Sequence, residues 1–356
     1  MTTEADNLRR WDGQRRGHYE VWYLTLNDPA SRDGYWIRYT LEAPLDGQGE
    51  PYAQLWFARF SAHAGDGARG ATGVADGART FGINRRFPIA SFVSPMPGAG
   101  EPFAVTIGGN RLGHDSAKGA ISGDGHSAEW DLRWTPATKT LHQLPSFFYR
   151  RGGLAQTTVL SPNVDVVIDG TITVDGKRFD LRDARGGQTH LWGKKHAYEW
   201  AWGHCNAFDD APRAALEVLS VRLMRRGMKL PPMTVATLWL DGEEIVLNRI
   251  DQALLAPAYE TSTGRFRFVA RSFSERLEGE FSCRPEDLVR ASYHDPDGEP
   301  SYCHNSCIGD LRLTLSRRIR GRWRETARLV APRRGHFEIA GRAKDPAVTA
   351  EHVTVE

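Results

Sequence analysis

Long apolar runs, cysteine and net charge are all scarce in this sequence. No stretch of 18 or more apolar residues occurs, which excludes a transmembrane helix. Four cysteines in 356 residues are too few for a disulfide scaffold. Lys+Arg 46 against Asp+Glu 44 leaves a formal charge of +2, so there is no electrostatic footprint for a nucleic-acid partner. Met1 to Arg10 is polar and carries two acids, unlike a signal or transit peptide. The chain therefore reads as cytoplasmic with reduced thiols. No Gly-x-Ser-x-Gly, Walker or His-Glu-x-x-His motif is present, which argues against the common hydrolases, nucleotidases and metalloproteases. Gly123-x-Gly125-x-x-Ala128 lacks the βαβ context of a dinucleotide loop. Asp295-Pro296-Asp297-Gly298 reads as a turn rather than a calcium loop. Cys303 and Cys307 have zinc-like spacing but no matching second pair, so no metal is assigned.

What is present is turn-rich and aromatic: 36 glycines and 11 tryptophans. Period-2 alternation recurs, whereas helical periodicity is hard to find. Ala128, Trp130, Leu132 and Trp134 share one face of a half-buried strand, with Glu129, Asp131 and Arg133 on the other. Leu311, Leu313 and Leu315 alternate with Arg312, Thr314 and Ser316 in the same way. Asp169-Gly170, Asp175-Gly176 and Asp241-Gly242 each read as hairpin turns. On that reading Val164 to Leu181 is a three-strand meander. Leu8 to Asp12 and Pro285 to Arg290 are the short helical candidates, and Gly65 to Gly82 reads as a long loop over a mouth. The expected fold is all-β, with antiparallel strands curling into barrels or half-barrels. The expected division is 1–196, 197–342 and a frayed polar tail over 343–356.

Tyr198 to Phe208 carries the functional signal. Alternation puts Tyr198, Trp200, Trp202, His204 and Asn206 on one face, and small residues on the other. In the next run Glu217 is the one acid on a row with Ala215, Leu219, Val221 and Leu223. If Asp209 to Pro212 is a four-residue loop, His204 lies opposite Glu217, with Cβ atoms about 4.5–5.5 Å apart. Such a pair suits proton transfer, and tryptophan faces suit a developing carbocation. The same pair also reads as a satisfied structural contact.

Glu20 shares a strand face with His18, Trp22 and Leu24. It reads either as a pocket acid or as a structural hydrogen-bond partner at a barrel end. Trp36, Tyr39, Trp56, Phe57 and Phe60 fall on the next two strands, as core or as pocket lining. The basic stretch Arg317 to Arg334 reads first as a solvated face and second as an anion or lipid-headgroup site for transient membrane contact.

His190-Leu-Trp192-Gly193 followed by Trp200-Ala-Trp202-Gly-His204-Cys-Asn206-Ala-Phe208 resembles the central motif of tocopherol cyclases. It is also similar to that of the wider tandem lipocalin-like (calycin) set, which includes carotenoid 1,2-hydratases and AttH-like proteins. His18 to Tyr23 resembles the strand that opens their first barrel, and Gly335 to Arg342 their closing strand. The resemblance implies two tandem lipocalin-like barrels or half-barrels with a hydrophobic pocket. It also implies chemistry that protonates an alkene of a prenyl or polyene chain. Tocopherol cyclases carry glutamine where His204 stands, and the hydratases' Asp-His-Gln reads Gln188-Thr189-His190 here, so no single named reaction carries over. A Tyr-x-x-Asn-Ser stretch similar to the family's brings Tyr302 and Asn305 toward the shared pocket.

These readings converge on a cofactor-free acid–base isomerase, cyclase or hydratase for an apolar unsaturated small molecule such as an isoprenoid or polyene. His204, Glu217 and Glu20 are the catalytic candidates. Trp22, Trp192, Trp200, Trp202, Asn206, Tyr302 and Asn305 are the substrate-binding candidates. The alternative is a carrier of lipid or pigment with no chemistry. Oligomeric state stays open.

Overall fold

In the computed structural model, residues 3–62, 79–144, 156–249, 251–252 and 258–355 are described. The chain forms two large sheets, antiparallel except where noted below. In the first, His18–Asn27, Gly34–Ala43, Tyr52–Phe60 and Phe81–Pro88 form a meander. His18–Asn27 also pairs with Lys177–Gly193, the return arm of a long hairpin whose outgoing arm is Thr157–Val174. The second sheet repeats this order. Glu199–Cys205, Ala215–Arg222, Met233–Leu240 and Glu243–Leu247 form its meander. Glu199–Cys205 also pairs with Arg322–Gly341, the return arm of a hairpin that leaves along Pro300–Ile319. The sheet changes between Gly193 and Glu199.

Turn chemistry explains the hairpins. Asp175-Gly176 has φ of 50° and 78°, and Asp241-Gly242 has 53° and 82°, the left-handed pairs that two-residue hairpin turns require. Gly123-Asp124-Gly125 makes a third such turn, with Asp124 and Gly125 at 51° and 76°. Asp169-Gly170, expected as a turn, is not one. The strand runs through it from Thr157 to Val174, with a register shift between Ile168 and Gly170. A Cβ on Gly170 would stand 2.1 Å from the Asp131 carbonyl oxygen, so glycine is there for close backbone approach at a bulge. Val164 to Leu181 is therefore one hairpin, not a meander. 3₁₀ turns lie at Thr3–Asp6, Ile89–Ser91 and Pro285–Asp287, and Leu8 to Asp12 is not helical. Most of the expected Gly65 to Gly82 loop lies outside the described residues. No helix among the described residues is long and apolar enough to cross a membrane.

Each sheet curls around its own core. Trp22, Phe57 and Trp130 fill the first, and Phe266, Phe281 and Phe337 the second. A third apolar cluster lies between the two, where Tyr19, Tyr23, Trp36 and Trp56 meet Trp200, Trp202, Tyr293 and Ala340. The strands at this junction are thus buried on both faces; all ten residues of His18–Asn27 are buried. Small residues let the second barrel close behind the tryptophan ladder: a Cβ on Gly203 would stand 2.3 Å from the Phe281 ring. The expected frayed tail is instead ordered. Val348 joins the second core, and His352–Val355 adds a parallel strand to Phe81–Pro88 of the first sheet.

Candidate functional site

The third cluster lines a partly open cavity of about 230 Å³. It lies between the barrels, not inside either, so the two domains do not share one interior. Tyr23 and Trp36 contribute from the first sheet; Trp200, Trp202 and Tyr293 contribute from the second. Val159, Leu191, Leu219, Val221, Leu223 and Met233 complete the apolar wall. Leu144 and Gln156, on either side of the undescribed stretch 145–155, also line it. The volume falls below the roughly 300–1,000 Å³ of most ligand pockets. It accepts a compact molecule, or the reacting part of a longer one.

Few polar groups reach this wall. Glu338 lies opposite Trp202 across the ladder and lines the cavity. The Trp200 indole Nε1 donates to its Oε1 at 2.7 Å, and the Cys303 thiol to its Oε2 at 3.4 Å. His196 also lines the cavity, stacked on Tyr19, Trp200 and Tyr293 at 4.3, 5.3 and 5.6 Å between centroids. Its Nδ1 donates to Asp295 Oδ1 at 2.7 Å, and Asp295 Oδ2 accepts from Arg342 at 3.0 Å. Burial pushes the Asp295 carboxyl up, but the hydrogen bonds from His196 and Arg342 hold it below its ordinary value. For His196 burial dominates and pushes the imidazole down, against the pull of Asp295. An acceptor-only carboxylate on Nδ1 fixes the tautomer and leaves Nε2 as the free basic nitrogen.

The expected ladder pairing of His204 with Glu217 and Trp202 with Leu219 is present. His204 and Glu217 are buried at 1% and 3% exposure, with Nδ1 3.5 Å from Oε1. They stand beyond Trp202 and are not part of the cavity wall. Glu217 Oε2 accepts from Trp202 Nε1 at 2.7 Å and from Gln143 at 3.4 Å, and Oε1 accepts from Ser161 at 3.3 Å. Among the described residues, neither nitrogen of His204 has a hydrogen bond. His336, its cross-strand neighbour, bonds Thr25 and Asn27 of the first sheet. Burial and the nearby His204 push the His336 imidazole well down.

The other expected site residues fall elsewhere. Trp200 and Trp202 line the cavity; Trp22 lies in the first barrel's core, stacked on His190 at 4.9 Å. Trp192 sits under the Arg10 guanidinium. Glu20 points into the first barrel, because even positions of its strand face that core and odd positions face the junction. It accepts from the Arg10 and Trp11 backbone amides at 2.7 and 2.9 Å and from His190 at 2.9 Å. Burial would push its carboxyl up, but hydrogen bonds from His18 and His190 hold it down to about 2. Glu20 therefore ties the N-terminal segment to the barrel end. Asn206 bonds Asp165 and the Gly186 carbonyl, stitching the domains together away from the cavity. Tyr302 lies beneath the Lys344 ammonium, and Asn305 is buried on the strand beside Glu338; neither lines the cavity.

Glu338, His196 and Arg38, which also lines the cavity, were missed. A lone acid in Phe337-Glu338-Ile339 and a lone cation in the apolar run Trp36 to Tyr39 were the available signals. His196, in a linker-like stretch, gave none.

Two tandem curled β-sheets with a cavity at their junction define the class of protein. The tocopherol cyclase-like family profile matches residues 16–341, and the chain belongs to that family. It is 27% identical over 327 residues to an uncharacterised protein of Mycobacterium tuberculosis, covering 89% of this chain and 86% of that one. It is 21% identical over 339 residues to a probable chloroplastic tocopherol cyclase of rice, Oryza sativa subsp. japonica, covering 86% and 71%. Among solved structures, a putative AttH from Nitrosomonas europaea aligns with TM-score 0.53 at 14% identity, over 92% of this chain and 93% of that one. Kievitone hydratase from Nectria haematococca aligns at 0.50 and 10% identity, over 92% and 89%. CghA in complex with Sch210972 aligns at 0.50 and 11%, over 91% and 88%. These likenesses establish the tandem lipocalin-like fold.

Proposed function

We propose that this protein is a cofactor-free acid–base enzyme of the isomerase, cyclase or hydratase type. Its substrate is an apolar unsaturated molecule such as an isoprenoid, held in the cavity between the barrels. Glu338 delivers a proton to one alkene carbon. The resulting cation lies against the faces of Trp200 and Trp202, whose π-systems attract positive charge. His196 Nε2 then takes a proton, either from the neighbouring carbon or from a water or internal hydroxyl that captures the cation. Returning that proton to Glu338 closes the cycle with no net change in the enzyme. Glu217 is a positioning residue that holds the Trp202 indole, with His204 packed beside it. The observation that carries this reading is the pairing of one carboxyl group and one carboxylate-oriented imidazole on a largely apolar, aromatic wall.

The test is incubation in D₂O with isoprenoid alcohols such as geraniol and geranylgeraniol, read by mass spectrometry. Turnover incorporates deuterium at an alkene carbon or yields a product shifted in mass, and Glu338→Gln abolishes it. Binding without any deuterium uptake by the wild type makes the protein a carrier instead.

A further inference from the structure

Two arginines among the described residues are buried, Arg38 and Arg59, each at 5% exposure. Arg59 has a matched counter-charge: its Nη2 lies 2.7 Å from Asp33 Oδ2. Arg38 has none. Its Nε donates to Thr40 Oγ1 at 2.9 Å. Among the described residues, no carboxylate lies within ion-pair distance and neither terminal nitrogen has a hydrogen bond. Instead its guanidinium carbon sits 4.1 Å over the Tyr293 ring, with Trp56 and Trp36 at 5.6 and 5.7 Å. Arg38 lines the cavity. Glu42, four residues on along the same strand face, is a weak counter-charge because burial pushes its carboxyl up.

A guanidinium keeps its charge inside a protein, and an unpaired buried charge is costly. Aromatic faces offset only part of that cost. The two free terminal nitrogens form a planar fork that matches two oxygens of one planar anion. We infer that Arg38 is a specificity-determining residue that binds a carboxylate head on the ligand, so the preferred ligand is an unsaturated carboxylic acid with an apolar body. The aromatic cage fixes the fork toward the cavity, and the apolar wall formed by Leu219, Val221 and Met233 takes the body. This inference rests on the cavity being the ligand site proposed above, but not on catalysis. A protein that binds acids and turns nothing over satisfies it and refutes the enzyme reading; turnover of neutral alcohols with no preference for acids does the reverse.

The experiment compares two acid–alcohol pairs, geranic acid with geraniol and retinoic acid with retinol, by isothermal titration calorimetry at pH 8, where both acids are ionised. At least one acid is expected to bind about tenfold or more tightly than its alcohol, since charge-assisted bidentate pairing adds about 1.5 kcal/mol or more. Arg38→Met is expected to remove that preference, the acid losing about tenfold more affinity than its alcohol. Arg38→Lys, which keeps the charge and loses the fork, is expected to retain part of it. The inference is overturned if neither acid binds more tightly than its alcohol, an absence of binding included, or if Arg38→Met keeps the preference. Should Arg38→Met not fold, the wild-type pairs and Arg38→Lys decide.

Discussion

Glu20 offers the most quantitative test of how the first barrel is closed. Its carboxyl is held at about 2 against an ordinary value of 4.5. A difference of about 2.5 units at roughly 1.4 kcal/mol each corresponds to about 3 kcal/mol of stability. The folded value lies below the unfolded one, so the contribution is complete above about pH 4.5 and disappears as pH falls through about 2. At pH 3 the same relation leaves less than half of it. Glu20→Gln keeps the size of the side chain but removes the charge that accepts from Arg10, Trp11, His18 and His190. Urea denaturation of both proteins from pH 7 to pH 3 measures the difference. The variant is expected to be about 3 kcal/mol less stable at pH 7, with the gap narrowing on acidification. An equal loss at every pH, or no loss at pH 7, refutes the claim that a charged Glu20 anchors the N-terminal segment.

His352 is buried against Trp36 and Trp56 at 5.3 and 5.2 Å, and burial pushes its imidazole down to about 3. The unfolded chain takes up that proton first, so stability is lost as pH falls below about 6.5, at up to about 1.4 kcal/mol per unit. His352→Phe is expected to flatten that part of the urea-derived stability profile, and an unchanged slope contradicts it. Gly203→Ala places a Cβ 2.3 Å from Phe281 and is expected to cost about 1–3 kcal/mol by overpacking; an unshifted urea midpoint counts against the packing described. Trp202→Phe removes the donor 2.7 Å from Glu217 and is expected to cost about 1.5–3 kcal/mol. Recovery of most of that stability in the double variant with Glu217→Gln identifies the bond as the source, and additive losses do not.

Much of the fold was legible because period 2 and turn chemistry act locally. The pairing of His204 with Glu217 followed from one loop length and alternation, and the ladder keeps that register from Glu199 to Cys205. Asp169-Gly170 was misread because a left-handed aspartate–glycine turn and a glycine bulge share one sequence signal. The ladder that decides between them comes from Asp131, far away in the chain. The site was harder to read. Alternation separates two strand faces but does not say which one meets the other domain, and at this junction both are buried. Trp22 and Glu20 therefore went to the pocket although they face the first barrel's core. Glu338, His196 and Arg38 come from three distant segments and meet only when the barrels dock. The family resemblance supplied the architecture and the two tryptophans, but not these polar groups.

The central claim is that ligand binds at the junction of the two barrels. A geranyl probe carrying a diazirine, photolysed on the intact protein and mapped by tandem mass spectrometry, tests it most directly. The expected adducts fall on cavity residues, Trp200, Trp202, Leu219 and Val221 foremost. Adducts on Phe57 and Trp130, or on Phe266 and Phe281, would put the ligand inside a single barrel and contradict the account.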